Sequence, residues 1–236
     1  MIKKVLLFIA LFCTTWSLQA QSFAWGLKGG PTLGFQKWEN QPRDLLFKYH
    51  GIAFIESLPA GNDFALFAQV GYHIKGSSLR NQRALFGGGV LDIPTRQFQF
   101  RNIALTVGAK QKFNFRNIAK SFYAIGIRGD YTVSTNLSDF NAFNTGFFPS
   151  DAFVRKINYG VYIGGGLEFA LSELVGAVVE LNVSPDFSFQ YQQPPIGNIT
   201  DPFTGNSFNI AERKIVNVVL ELSVGIRFLR VVEYVD

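Results

Sequence analysis

The chain has 236 residues, among them 25 Phe, eight Tyr, 23 Gly and a single Cys. Its formal charge of +5 is too mild to argue for a nucleic-acid partner, and one cysteine excludes both a disulfide framework and a thiolate metal site. High aromatic and glycine content with few long helix formers favours strands.

The first element in chain order is a leader. Lys3 and Lys4 precede the apolar run from Val5 to Phe12, and "LQAQ" follows from Leu18 to Gln21. This pattern predicts a signal peptide over residues 1–20, cut after Ala20. The apolar run is shorter than the roughly 20 residues that a spanning helix needs. A lipoprotein cut before Cys13 is the alternative; bulky Phe12 at the position before it speaks against that. Removing the leader takes away Cys13 and two lysines, so the formal charge falls from +5 to +3. What remains, about 216 residues, suits one large all-β domain.

From Phe23 onward the dominant signal has a period of two. Over residues 23–35 the odd positions Phe23, Trp25, Leu27, Leu33 and Phe35 form a greasy face, and the even positions hold Lys28 among small residues. A less regular segment covers residues 49–58. The alternation resumes at 64–75, 102–110, 122–133, 158–169, 175–183 and 216–228. These eight segments are joined by connections of alternating length. Short ones ("PAGND", "NFRNIAK", "LSE") follow the second, fourth and sixth; long ones cover residues 37–48, 77–95, 134–156 and 192–207.

Eight alternating segments with short turns at one rim and long loops at the other predict an all-β fold. It is an eight-stranded antiparallel transmembrane β-barrel with short periplasmic turns and long extracellular loops. Closure follows because lipid offers no partner to an unpaired strand edge. A soluble barrel is the alternative, but its polar face would seldom be so rich in glycine. The barrel is placed at residues 21–228. Its last strand ends at Phe228, and residues 229–236 are either a periplasmic tail or a continuation of that strand.

The segments "WGLKGG", "FALFAQVGYHIKGS", "NYGVYIGGGLEFAL" and "LELSVGIRF" resemble the small outer-membrane β-barrel proteins of Bacteroidota, often labelled PorT-family. The resemblance covers most of the chain after the leader. It implies an outer-membrane location, no cofactor and no catalytic residues to carry over, and its motifs specify architecture better than activity.

The face opposite the greasy one must line the lumen. At mid-height it holds Lys28, Arg128, Asp130, Glu180 and Glu221; towards the periplasm it holds Lys110, Glu168 and Arg227. Strand eight must pair with strand one, which sets Glu221 near Lys28, with Glu180 on the next strand and Arg128 reaching across. An eight-stranded barrel is just wide enough for side chains to fill, and charges confined there need partners. A charge network that plugs the lumen is therefore expected. A narrow polar path for ions or small solutes is the alternative. Glu180 and Glu221 lie on adjacent strands, but acid–base work needs substrate access that a filled lumen denies.

Three further features are weighed. His50 and His73, on neighbouring strands, can approach each other, but no serine or aspartate at a suggestive spacing completes a triad, so they are read as structural. The tripeptide Arg128-Gly129-Asp130 has the sequence read by cell-adhesion receptors, yet it sits inside a strand, where Arg128 and Asp130 point together into the lumen. The groups "FGGGV" (Phe86 to Val90) and "GGG" (Gly164 to Gly166) precede no helix and are not phosphate loops. The latter makes room inside the barrel for large neighbours such as Tyr162.

The long loops carry the remaining candidates. Phe140, Phe143, Phe147, Phe148 and Phe153 mark the third; Phe187, Phe189, Tyr191, Phe203 and Phe208 mark the fourth. Of these, Phe187, Phe189 and Tyr191 continue the outward parity of strand seven. The rest either pack into a cap over the lumen or present a patch to an envelope protein partner. Loop two and its flanks hold Lys75, Arg80, Arg83, Arg96 and Arg101 against Asp92. Lipopolysaccharide phosphates would complement that charge; plain solvation is the alternative. The expected surroundings are outer-membrane lipid and lipopolysaccharide. The expected role is a non-enzymatic one in envelope structure or interaction, against the alternatives of a channel, a lipid-modifying enzyme or a secretion accessory.

Overall fold

The computed structural model describes residues 22–38, 43–58, 63–80, 82–86, 89–93, 95–115, 119–143, 149–200 and 205–230. The leader therefore lies outside the described residues, as do 231–236. Eight long strands make the barrel: β1 (Phe23–Lys37), β2 (Asp44–Ser57), β3 (Phe64–Leu79), β6 (Arg96–Phe115), β7 (Ala119–Thr135), β8 (Ile157–Ala170), β9 (Val175–Pro185) and β13 (Arg213–Arg230). Between them lie two hairpins, β4 (Gln82–Phe86) with β5 (Gly89–Ile93) and β11 (Ile196–Thr200) with β12 (Ser207–Ile210), and the short β10 (Tyr191–Gln193).

Each long strand pairs antiparallel with the next, and β1 also pairs with β13 from Phe23↔Arg230 to Lys37↔Val216. Among the described residues the ring is thus closed, each spanning strand pairing on both sides, as lipid requires. Alternation then sorts the side chains. Leu27, Leu105, Ile125, Ile127 and Val224 stand exposed on the outside, while Lys28, Thr106, Arg128 and Glu221 are buried within. Aromatics gather towards the outer band's two ends: Trp25 beside Phe228 and Phe113 beside Tyr123 near the periplasmic turns, and Phe47, Tyr49, Tyr131 and Tyr159 towards the other rim. Such girdles belong at the two membrane interfaces.

Near the extracellular rim β1 approaches β3 directly. A β-carbon added at Gly34 would lie 2.7 Å from the Gly76 carbonyl oxygen, and Gly76 itself has φ +150°, which favours glycine. The β2–β3 register shifts between Leu45 and His50 at this level.

The elements are longer than alternation alone suggests. The second segment begins at Asp44 and the fourth fills Arg96–Phe115. The final strand continues to Arg230, beyond the expected end at Phe228, because Phe23 and Ala24 of β1 still offer it partners. Of the "FGGGV" stretch, Phe86 ends β4 and pairs opposite Gly89 of β5, while Gly87 and Gly88 lie outside the described residues. Loop two is therefore hairpin-built.

Candidate functional site

The inward faces supply six buried cations (Lys28, Lys75, Lys110, Lys112, Arg128, Arg227) and six buried anions (Glu56, Asp130, Glu168, Glu180, Asp186, Glu221) among the described residues. Unpaired, each would carry a desolvation cost of several kcal/mol. They fall into two tiers divided by an aromatic layer.

The periplasmic tier joins β2, β6, β8 and β13. Lys110 Nζ donates to Glu56 Oε2 (2.7 Å) and Glu168 Oε1 (3.2 Å). Lys112 donates to Glu56 Oε1 and lies 3.0 Å from Glu168 Oε2. Arg227 Nη1 donates to Glu168 Oε2, with Nη2 3.7 Å from Glu56 Oε1. Three cations are thus held by two carboxylates. Below them a vestibule of about 910 Å³ opens to the periplasm.

Above this tier lie Phe67, Phe122, Ala124, Tyr162 and Val178, with Phe54 packed against them. Inward glycines make the room. A β-carbon on Gly166 would sit 2.1 Å from the Val179 carbonyl oxygen and 2.9 Å from Phe122 Cζ; one on Gly164 would sit 3.0 Å from the Tyr162 hydroxyl. Lys110 Nζ lies 4.2 Å from the Phe122 ring centre, and Lys28 Nζ lies 5.5 Å from that of Phe54. The cavity left between these groups is about 10 Å³, close to the least that can hold one water.

The upper tier begins at Lys28, whose Nζ donates to Glu180 Oε1 at 2.7 Å; the Tyr162 hydroxyl donates to the same oxygen. Lys75 Nζ, fully buried, donates to Asp130 Oδ2 (2.9 Å) and to both Asp186 oxygens (2.7 and 3.0 Å). Arg128 Nε donates to Asp130 Oδ1 at 3.2 Å, and its Nη1 is 3.9 Å from Glu221 Oε2. His73 Nδ1 donates to Glu221 Oε1 at 2.5 Å. The tier continues upward as hydrogen bonds from amide and indole groups. Asn217 donates to Asp186 (3.1 Å), Gln36 to Asn217 (2.8 Å), and Trp38 Nε1 to Gln36 (3.0 Å).

Trp38 belongs to the cap. With Phe98, Phe100, Leu137, Tyr191 and Ile215 it forms a buried apolar cluster, against which Phe140 and Phe153 pack. The Arg43 guanidinium stacks 3.8 Å from the Trp38 ring centre. Apolar side chains thus finish the lumen at its extracellular end. Phe147, Phe148 and Phe203 lie outside the described residues, as do the side chains of Phe143 and Phe208.

All eight expected lumen residues point inward, and Arg128 reaches across to Glu221, but Lys28 pairs with Glu180 rather than Glu221. Glu221 faces Thr32 on β1, and Lys28 faces Gly225, so the register carries Lys28 to Glu180 and leaves Glu221 to His73 and Arg128. Lys75 is not a loop charge open to lipopolysaccharide; it is the hub of the upper tier. Tyr191 does not continue the outward parity: Phe187 is exposed, but the chain crosses inward after Gln190 and buries Tyr191 completely. Reading from sequence missed Glu56, Lys112 and Asp186. Each lies in phase with an inward residue already recognised, two positions on or across the less regular second segment. Pro185 hid the continuation to Asp186.

The histidines do meet. Their rings stack at 5.7 Å and 6°. His50 shares hydrogen bonds with Thr32 Oγ1 (2.9 Å) and Ser223 Oγ (2.7 Å), a serine–histidine contact absent from the spacing argument. Ser223 is fully buried. Among the described residues no cluster of three or more His, Cys, Asp or Glu could hold a metal ion. Gly129 faces outward with nothing within 4 Å of an added β-carbon, so Arg128-Gly129-Asp130 presents no loop tip.

A closed antiparallel ring of eight strands, apolar outside and charged within, defines a small bacterial outer-membrane β-barrel. The chain belongs to the outer membrane protein beta-barrel domain family, whose model matches residues 19–192. Among solved structures it is similar to the outer membrane protein OprG from Pseudomonas aeruginosa, at 9% identity and a TM-score of 0.51, covering 89% of this chain and 96% of that one. It is also similar to Neisserial surface protein A, with 11% identity, 87% and 96% coverage and a TM-score of 0.48. The outer membrane protease OmpT of Escherichia coli follows at 8%, 89% and 97% coverage and 0.45. At such identities the OprG likeness is one of fold. A comparison with curated protein sequences finds no match.

Proposed function

We propose that this protein is a non-enzymatic, non-conducting outer-membrane barrel that acts in envelope structure or interaction through its extracellular surface. The observation that carries this reading is the filled lumen. Twelve buried charges, an aromatic layer and an apolar cap follow one another along the axis, and the cavity between Lys28 and Lys110 is about 10 Å³. A permeating ion would have to displace salt bridges buried on both partners.

What is left to act is the outside. The hairpins β4–β5 and β11–β12 form sheets separate from the ring, and Leu137–Phe143 forms a 3-10 helix in the third long loop. Lipopolysaccharide and an envelope protein are the partners proposed for these loops. The resemblance to the PorT-labelled barrels of Bacteroidota fits this reading and adds no activity to it. Planar-bilayer recording of the purified protein tests the plugged lumen: silence is expected, and stable unitary conductance sinks it. A deletion strain with unchanged lipid A and phospholipids is the outcome expected of a non-enzyme.

A further inference from the structure

The two rims of the barrel carry different outward charges. At the periplasmic rim the exposed charges among the described residues cancel, Lys120 and Arg230 standing with Asp63 and Glu173. At the extracellular rim β6, β7 and the start of β8 present basic groups without acidic partners. Arg101 of β6 shares the outward face of Ile103 and lies opposite Ser134 of β7, its Nη1 3.5 Å from Ser134 Oγ. On the other side of β7 the Thr132 N–H donates to the Lys156 carbonyl (2.7 Å), so pairing runs past Ile157 and sets Arg155 beside Val133. Arg155 is exposed and shares the outward face of Ile157. Two strand spacings, roughly 10 Å, separate Arg101 from Arg155, a span that two arginine side chains close on one ligand.

Among the described residues neither guanidinium forms an ion pair, and neither does Lys156 beside them. Of the carboxylates described in the loop between β7 and β8, Asp151 accepts from Thr135 Oγ1, and Asp139 pairs with none of the three cations. Below the arginines, on the same outward face, Ile103, Tyr131, Val133 and Ile157 are 47%, 49%, 54% and 74% exposed. The cations therefore stand where the apolar band ends, at headgroup level. A soluble anion would leave that apolar surface uncovered, and an uncharged lipid would leave the guanidiniums without acceptors. We propose that Arg101 and Arg155, with Ser134 between them, hold a phosphate of an outer-leaflet lipid whose acyl chains lie on Tyr131, Val133 and Ile157. Guanidinium donors match phosphate oxygens in geometry as well as charge. The proposal rests on the reading of the barrel as one that acts through its extracellular surface, and it sets a lipid site on the barrel wall rather than in the hairpins.

The test is native mass spectrometry of the purified protein in non-ionic detergent, with bisphosphorylated lipid A, the same lipid stripped of its phosphates, and inorganic phosphate. Retention of one intact lipid A is expected, with none of the stripped lipid or of inorganic phosphate. Arg101→Gln and Arg155→Gln should each weaken it about fivefold, the scale of one basic side chain at an anionic membrane surface. Lys120→Gln, at the periplasmic rim, should bind like the parent. The Arg155 guanidinium has no ion pair to lose, so Arg155→Gln is expected to keep the heat-modifiable fold on cold SDS gels. Equal retention of intact and stripped lipid A overturns the proposal, as does full binding by a folded Arg101→Gln/Arg155→Gln double variant. Saturable binding of inorganic phosphate at the same arginines overturns the lipid as its source. Stable conductance in planar bilayers with lipid A binding intact would sink the plugged lumen and leave this site standing.

Discussion

The two tiers of the lumen solve one problem under different conditions. The upper tier is sealed between the aromatic layer and the apolar cap. Its charges have partners drawn from six different strands and from the segment after β9. The periplasmic tier ends at a vestibule, and it tolerates three cations on two carboxylates. The sealed tier spreads its charges over most of the barrel wall, whereas the open one concentrates three cations on two carboxylates. In the upper tier contacts run from Glu221 through Arg128, Asp130, Lys75, Asp186, Asn217 and Gln36 to Trp38, with Lys28, Glu180 and Tyr162 as a separate group; each tier leaves buried atoms over, Arg128 Nη2 and Glu221 Oε2 above and Arg227 Nε below.

The comparison can be broken most severely at the layer that keeps the tiers apart. Gly166→Ala puts a β-carbon against the Val179 carbonyl, a backbone atom that cannot step aside. The barrel is expected not to reach its compact, heat-modifiable form on cold SDS gels, whereas Gly129→Ala, which meets nothing within 4 Å, should fold like the parent. Equal folding of both would mean that the layer is not tightly packed.

Asp130→Ala comes next, because it strips an acceptor from Lys75 and from Arg128 together. A loss of about 3–5 kcal/mol is expected in urea unfolding from lipid vesicles, the usual scale for breaking a buried pair. Lys28→Met should cost a similar or slightly smaller amount by leaving Glu180 buried with only the Tyr162 hydroxyl. Adding Glu180→Leu should recover most of it, since replacing both ions removes the orphaned charge. A double variant as unstable as the single would show that the pair matters for more than charge compensation. The smallest effect is expected in the periplasmic tier. Lys112→Gln keeps a hydrogen-bonding group, leaves Lys110 and Arg227 on both carboxylates, and should cost only about 1 kcal/mol in the same unfolding assay. A cost as large as that of Asp130→Ala would erase the distinction between the tiers.

Much of this was legible from alternation. The inward positions of Lys28, Lys110, Arg128, Asp130, Glu168, Glu180, Glu221 and Arg227 follow from a two-residue period. The adhesion-like tripeptide loses its meaning on the same ground, since Arg128 and Asp130 share a face. Less legible were residues just past an apparent strand end. Lys112 lies two beyond Lys110, and Asp186 lies beyond Pro185, where a proline suggests that pairing has stopped. Lys75 was visible as an inward residue of its strand but also as part of a basic loop, and only its burial against Asp130 and Asp186 separates the readings.

Residue order alone sets the eight spanning segments, the face each presents to lipid and the alternation of short and long connections. These are local properties: a period of two and a turn are written in neighbouring residues. Who pairs with whom is set by the folded barrel. Lys28 meets Glu180 across 152 positions, and His73 meets Glu221 across 148. Such contacts depend on the register of every intervening strand pair and on the bulge in β2. They also depend on the inward turn after Gln190, where each shift moves a side chain by one rung along the barrel wall.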